Sequence, residues 1–433
     1  MSELPGAGTG KLRISSKLDP EHPLAARAPL ARFYTALVTG DLRSLQVLTE
    51  RYHQDVNLVF EISKNELQWQ VKSQASYGLS GLWALEEKRE LSTPLCLAAR
   101  HGHPACLRHL LRHGADPNLA PGGRGPLHEA CQGGHSDCVE LLLEYRADPN
   151  ARSDEGTAPL HLCTSPDSLG CARLLLRHGA AVELPSEAGG DTALHVAAQH
   201  SLYYHACLYL RRQARVDARN MWEETALGIL CGQAPSVGED SLQLFQLLAA
   251  HGADVDARDE SWRSPLHRAC GAANAELVRL LLRRGADAID YDGVSPLGWA
   301  LQGAASHRDL RPHLTIQLLL NHGSQKIWPP AFVKVLKSCA AVPEVIEVLF
   351  NSYSQIPVSR EWAKAVPEEV FQQHQPFYES LLGLAGTARC LQHLCRSAIR
   401  TNFGSKCHSL IPLLPVPKAL RDFLLLEPEG VVW

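Results

Sequence analysis

Gly125-Pro126-Leu127-His128-Glu129-Ala130, running on to Val139-Glu140-Leu141-Leu142-Leu143, decides the fold because its opening phrase recurs along the chain. The phrase returns as Thr93-Pro94-Leu95, Ala158-Pro159-Leu160-His161, Thr192-Ala193-Leu194-His195, Thr225-Ala226-Leu227, Ser264-Pro265-Leu266-His267 and Ser295-Pro296-Leu297. Successive leucines from Leu95 to Leu297 are 32, 33, 34, 33, 39 and 31 residues apart. Each part has a physical job. Proline suits the first turn of a helix, where its missing N–H costs no hydrogen bond. The leucine and the small residues after it pack a first helix. A second helix follows, as in Leu174-Leu175-Leu176, and commonly ends at a glycine, as at Gly114, Gly179, Gly252 and Gly285. Glycine adopts the left-handed conformation that closes a helix. Arg146 and Gln213 stand where that glycine is expected, at a cost of about 1–2 kcal/mol each if the backbone is kept.

A period near 33 with this phrase is the ankyrin signature. The expected fold is an all-α-dominated ankyrin-repeat solenoid, helix pairs joined by short β-hairpin loops, with seven repeats over residues 92–325. The register also reaches upstream, where Phe33, Ala36, Gly40, Leu45 and Leu48 define a divergent first repeat at 31–57 behind a flexible segment at 1–30. An insertion at 58–91 holds Trp69 and Trp83, and its Val59, Phe60 and Ile62 alternation is too short to classify. Downstream, Val333, Leu336, Val345, Val348 and Leu349 fit a degenerate capping repeat at 326–356. Such end repeats shield the last apolar face of a stack. A helical linker is expected at 357–386.

The 433 residues exceed the roughly 250–300 that one core can serve, as a repeat array would. Lys and Arg total 42 against 46 Asp and Glu, which is no footprint for nucleic acid or an anionic membrane. No stretch is apolar enough to span a membrane and no leader pattern opens the chain. Thirteen cysteines lack the close-set pattern of a secreted scaffold, so an intracellular, cytoplasmic location with reduced thiols is expected. Cys106, Cys138 and Cys171 lie eleven residues after their repeat leucines, and Cys131, Cys231 and Cys270 lie four after. In-register cysteines read as small core residues rather than as metal ligands or redox sensors.

The histidines after the repeat leucine (His128, His161, His195, His267) are spread one per repeat, so each is read as tying down its own turn. His393, Cys395, Cys407 and His408 have poor spacing for zinc. Gly6-Ala7-Gly8-Thr9-Gly10-Lys11 imitates a phosphate loop, but Pro5 takes the first glycine position and Leu12 replaces Ser/Thr. No catalytic motif is found, and neither cofactor nor metal is expected.

The composition changes after the stack. Leu391, Leu394, Cys395, Ala398 and Ile399 fall at i, i+3, i+4, i+7 and i+8, one apolar stripe on one helix. Thr387 is positioned to cap its start, and Gly404 to end it. Ile411-Pro412-Leu413-Leu414-Pro415-Val416-Pro417 is expected to be extended, since prolines this dense exclude a helix. Pro417 then opens a last helix, Lys418 to Leu425. A unit of this size cannot bury all that apolar surface alone.

Residues 387–433 resemble a three-helix SOCS box with a C-terminal tail. In that family an elongin C-binding motif has Leu, a small residue four on, and an apolar residue four further; Leu391, Cys395 and Ile399 match, with Leu394 on the same stripe. The family's cullin-5 motif matches at Ile411, Leu414, Pro415, Val416, Pro417, Leu420, Phe423 and Leu424. Cys390 stands where Thr, Ser or Pro is usual, and Ala388 where Pro is common. With the repeats, nearly the whole chain is similar to the ankyrin repeat and SOCS box family. That resemblance implies a non-catalytic adaptor, its box holding elongin B/C and cullin-5 with a RING partner, its repeats holding an unknown target for ubiquitination. The alternative is an ankyrin scaffold whose C-terminal segment only caps the stack. For the target, the hairpin tips that turn on Gly123, Gly156, Gly190 and Gly293 carry Glu223 and Trp262 in two neighbouring repeats, with Trp222 beside the first. Trp222 and Trp262 are candidate contacts, set against packing on a neighbouring hairpin. The extra residues Pro235 to Asp240 form a second candidate loop.

Overall fold

The computed structural model describes residues 27–71, 83–234, 240–289, 294–385 and 387–432. The phosphate-loop imitation, most of the expected flexible segment 1–30, and all but the last residue of the Pro235–Asp240 loop lie outside them. The chain divides into two compact units, Met1–Val196 with Cys207–Ala214, and Ala197–Ala206 with Arg215–Trp433.

In the first unit the helices Arg27–Thr39 and Leu42–Gln46, the latter continuing into a π turn at Val47–Arg51, bury Phe33, Ala36, Leu45 and Leu48. Helix pairs follow at Pro94–Arg100 with Pro104–Arg112 and at Pro126–Gln132 with Ser136–Glu144. In the next repeat the first helix is only a 3-10 turn, Pro159–Leu162. Pro166, closely following, excludes helical backbone from the residue before it, so the turn cannot lengthen.

The insertion is an antiparallel β-hairpin. Strand β1 (Phe60–Val71) pairs with β2 (Trp83–Ser92), Phe60 opposite Ser92 and Val71 opposite Trp83, with an irregularity between Ser63 and Leu67. Fully buried Phe60 packs its ring 6.0 Å from Phe33 and 5.8 Å from Tyr34, joining the hairpin's base to the first helix.

The second unit holds the pairs Pro265–Gly271 with Ala275–Arg283, Pro296–Ala304 with Pro312–Asn321, and Phe332–Cys339 with Pro343–Asn351. Every repeat leucine from Leu95 to Leu297 is buried, as the period requires. Phe332 and Val335, rather than Val333, face the core of the last pair, because that helix starts after a Pro329–Ala331 turn. Residues 357–386 do more than link. Trp362 stacks on Phe332 at 4.8 Å, Tyr378 is fully buried, and Phe377 and Leu381 are buried beside it.

Two repeat devices are now visible. The Gly125 N–H donates to His128 Nδ1 at 3.2 Å, so Nε2 carries the proton and donates to Thr157 O of the next repeat at 3.1 Å. His161 does the same with Ala158 N–H and Asp191 O. These histidines tie repeat to repeat as well as closing their own turns. The hairpin tips join through single backbone hydrogen bonds, Asp154 N–H to Gly123 O and Glu187 N–H to Gly156 O, instead of paired strands. Arg146 and Gln213 do adopt left-handed backbone, at φ 66° and 65°.

Candidate functional site

The C-terminal unit is built on the helix Leu391–Phe403, which ends on Gly404 at φ 56°. Cys390 is its N-cap and offers no side-chain hydrogen bond. Thr387, expected to cap this helix, instead donates to Leu384 O and closes the preceding one. A 3-10 turn covers Gly404–Lys406 and a short helix Cys407–Leu410. The proline segment is not extended throughout: Ile411–Leu413 is a 3-10 turn, because proline is tolerated in a first helical turn, and extension begins at Leu414 with ψ 136°. The last helix is Lys418–Leu424.

The Leu391–Phe403 helix is set with its polar face inward. Leu391 is 77% exposed and Leu394 43%, with Cys395 and Ala398 exposed beside them. Arg389 (just before the helix), His393 and Arg396 are buried. His393 is the hub: its Nδ1 accepts from Arg389 and Arg396, each at 2.8 Å, and its Nε2–H donates to Tyr353 O at 2.7 Å. Burial, then the two guanidinium charges, pushes the His393 imidazole down to about 4, so it is neutral at physiological pH. Arg389 also reaches Asn351 Oδ1 at 2.9 Å. Arg400 donates to Asn321 Oδ1, Leu424 O and Leu320 O at 2.6, 2.8 and 3.2 Å. Gln317 and Asn321 both donate to Leu425 O, and Glu347 accepts the Glu429 and Gly430 N–H groups. The unit is therefore docked on the last repeats by polar contacts.

The candidate residues divide into two groups. Ile411 and Phe423 are buried with Cys407 and Leu424 in a small core, on which Ile399, Leu414, Phe403 and Leu425 pack. Arg396 stacks over the Phe423 ring at 4.1 Å. These residues shape the unit from within. Leu391, Leu394, Cys395, Pro415, Pro417 and Leu420 are exposed, and Val416 is half-buried. Sequence reading passed over Leu413, which is 78% exposed next to the proline segment. It also passed over the docking role of Arg389, His393, Arg396 and Arg400; an i, i+4, i+7, i+11 polar stripe opposite the apolar one was the available signal.

His393, Cys395, Cys407 and His408 do not converge. His393 is engaged as above, and His408 stacks on His322 at 3.8 Å. Burial pushes the Cys138, Cys171 and Cys231 thiols up to about 12, which suppresses the nucleophilic thiolate.

At the tips, Glu223 and Trp262 hold φ 57° and 61° where other repeats use glycine. Trp222 is 49% exposed, Trp262 64% and Met221 63%. Glu260 N–H donates to Trp222 O at 3.0 Å, so the two tips are neighbours.

Helix pairs at this period, followed by a small helical unit with an outward apolar stripe, define an ankyrin-repeat protein with a SOCS box. The family models agree: ankyrin repeats match residues 82–153, 146–220 and 234–327, and the SOCS box matches 387–425. The chain belongs to the ankyrin repeat and SOCS box family, whose box implies a cullin–RING ubiquitin-ligase adaptor role. It is 60% identical to human ankyrin repeat and SOCS box protein 18, over 93% of this chain and 88% of that one. It is 39% identical to human ankyrin repeat and SOCS box protein 16, over 92% of this chain and 86% of that one. The solved human ASB11 ankyrin repeat domain matches at a TM-score of 0.44 and 28% identity, over 48% of this chain and 92% of that one. No helix among the described residues is long and apolar enough to cross a membrane.

Proposed function

We propose that this chain is the substrate-recognition adaptor of an elongin B/C–cullin-5–RING E3 ubiquitin ligase and performs no chemistry itself. The repeats at 92–325 form the target arm and residues 387–433 the ligase arm. The carrying observation is the outward apolar stripe. A segment that only capped the stack would turn Leu391 and Leu394 inward, since a buried leucine contributes about 1.5–3 kcal/mol. Here the cations go in and the leucines stay out.

In this reading Leu391, Leu394 and Cys395 contact elongin C, while half-buried Ile399 links that face to the box core. Pro415, Val416, Pro417 and Leu420 contact cullin-5, and Ile411, Leu414 and Phe423 hold them in place from below. Trp222 and Trp262 contact the target. Ubiquitin transfer then follows from proximity, the adaptor raising the target lysine's effective concentration beside the charged conjugating enzyme.

One co-purification series tests the assignment. Leu391→Ala should weaken elongin binding at least about tenfold, the loss of a hot spot worth about 2 kcal/mol. Pro415→Ala with Pro417→Ala should keep elongin and lose cullin-5. Trp222→Ala with Trp262→Ala should keep both and lose the target. Elongin recovery by Leu391→Ala equal to the parent's would favour the capping scaffold.

A further inference from the structure

The first unit contains a cluster that the adaptor role does not use. Glu50, His109 and His113 place one ligand-type atom each within 4.8 Å of one another. Glu50 lies in the π turn of the first repeat, while His109 and His113 lie one turn apart at the end of the Pro104–Arg112 helix. We propose that these residues bind a zinc-class divalent cation, which clamps the divergent first repeat onto the next.

The repeat register supplies the first argument. Counting back four residues from the helix-closing position gives Leu141, Leu174, Leu208, Leu247, Leu280 and Leu318 in the six repeats that follow, and Val348 in the last pair. This repeat alone has a histidine there, His109, and it is buried. A leucine would fill the site with no polar atom to satisfy, so the register gives no packing reason for the change.

The hydrogen bonds supply the second. Thr49 Oγ1 donates to Leu45 O at 3.0 Å, so at 2.7 Å from His109 Nε2 it accepts that proton. The Nδ1 of His109 is left with its lone pair. His113 Nδ1–H donates to His109 O at 2.9 Å, leaving the Nε2 lone pair. Each imidazole thus has one nitrogen fixed as a donor and the other available, the outer-shell arrangement that orients metal-ligating histidines.

Two imidazoles and one carboxylate are a zinc-type donor set, with a fourth position open to water. Ligand atoms around zinc stand about 3.3 Å apart, given bonds near 2 Å. Glu50 is exposed, so its side chain can swing to close the remaining gap.

The test uses the untagged full chain, stripped with chelator and titrated with Co2+ and then Zn2+. Expected is one equivalent with a nitrogen/oxygen-type cobalt spectrum, and a Zn2+-dependent rise in Tm. His113→Ala and Glu50→Gln should each weaken binding about tenfold or more. His109→Leu restores the repeat residue, so it should fold at least as well and lose both the binding and the Tm shift. Equal Co2+ affinity in His109→Leu and the parent, or a thiolate-to-cobalt band, overturns the proposal.

Discussion

The helices Ala275–Arg283 and Leu391–Phe403 are both amphipathic, yet they are set in opposite senses. In the first, Leu277, Val278, Leu281 and Leu282 are buried. In the second, Leu391 and Leu394 face out while His393 and Arg396 are buried. A repeat helix has apolar neighbours on both sides, so burial of its leucines is the dominant gain. The box helix meets carbonyl and side-chain amide oxygens at the end of the stack, among them Tyr353 O, Leu320 O and Asn321 Oδ1. The His393 imidazole and the Arg400 guanidinium satisfy these acceptors, which leucines cannot do. An inverted helix of this kind has its apolar face free for another molecule.

The comparison breaks most visibly at matched leucines. Leu281→Ala should cost about 2–5 kcal/mol in urea unfolding, as a core truncation does. Leu391→Ala should stay within about 0.5 kcal/mol of the parent. Equal losses would mean that the Leu391 stripe is packed rather than presented. A smaller effect is expected at the buried polar face. Arg400→Met keeps the volume but leaves Asn321 Oδ1, Leu424 O and Leu320 O without their donor. It should cost about 1–3 kcal/mol and raise hydrogen exchange across residues 387–432. Unchanged exchange there would show that the docking does not depend on this cation.

The subtlest contrast is in pH. His393 is held at about 4, below its ordinary 6.5, so the unfolded chain binds its proton more readily than the folded one. Its contribution to stability is complete above about 6.5 and is lost as pH falls toward 4. The urea midpoint of the parent should therefore drop more between pH 7.5 and 5 than that of His393→Gln. Parallel declines would remove His393 as the sensitive group.

The legible parts of the sequence were those governed by local rules. The phrase at Gly125-Pro126-Leu127-His128 and its period gave the repeats, because proline, leucine and glycine act over a single turn. The left-handed backbone at Arg146, Gln213, Glu223 and Trp262 was readable from the register for the same reason. The insertion was not, since its strands gain stability only by pairing Phe60–Val71 with Trp83–Ser92. The box stripe was visible at Leu391 and Leu394 as a pattern, but a pattern does not say which way a helix turns.

The sequence by itself determined the helix pairs, the stripe and the proline break, because spacing and backbone restriction are properties of neighbours along the chain. Tertiary structure alone decided that Ile411 and Phe423 are internal supports while Leu391, Leu413 and Leu420 are surface, since burial depends on what else arrives. It alone brought Glu50 to His109 and His113, because residues from different repeats meet only when the repeats stack.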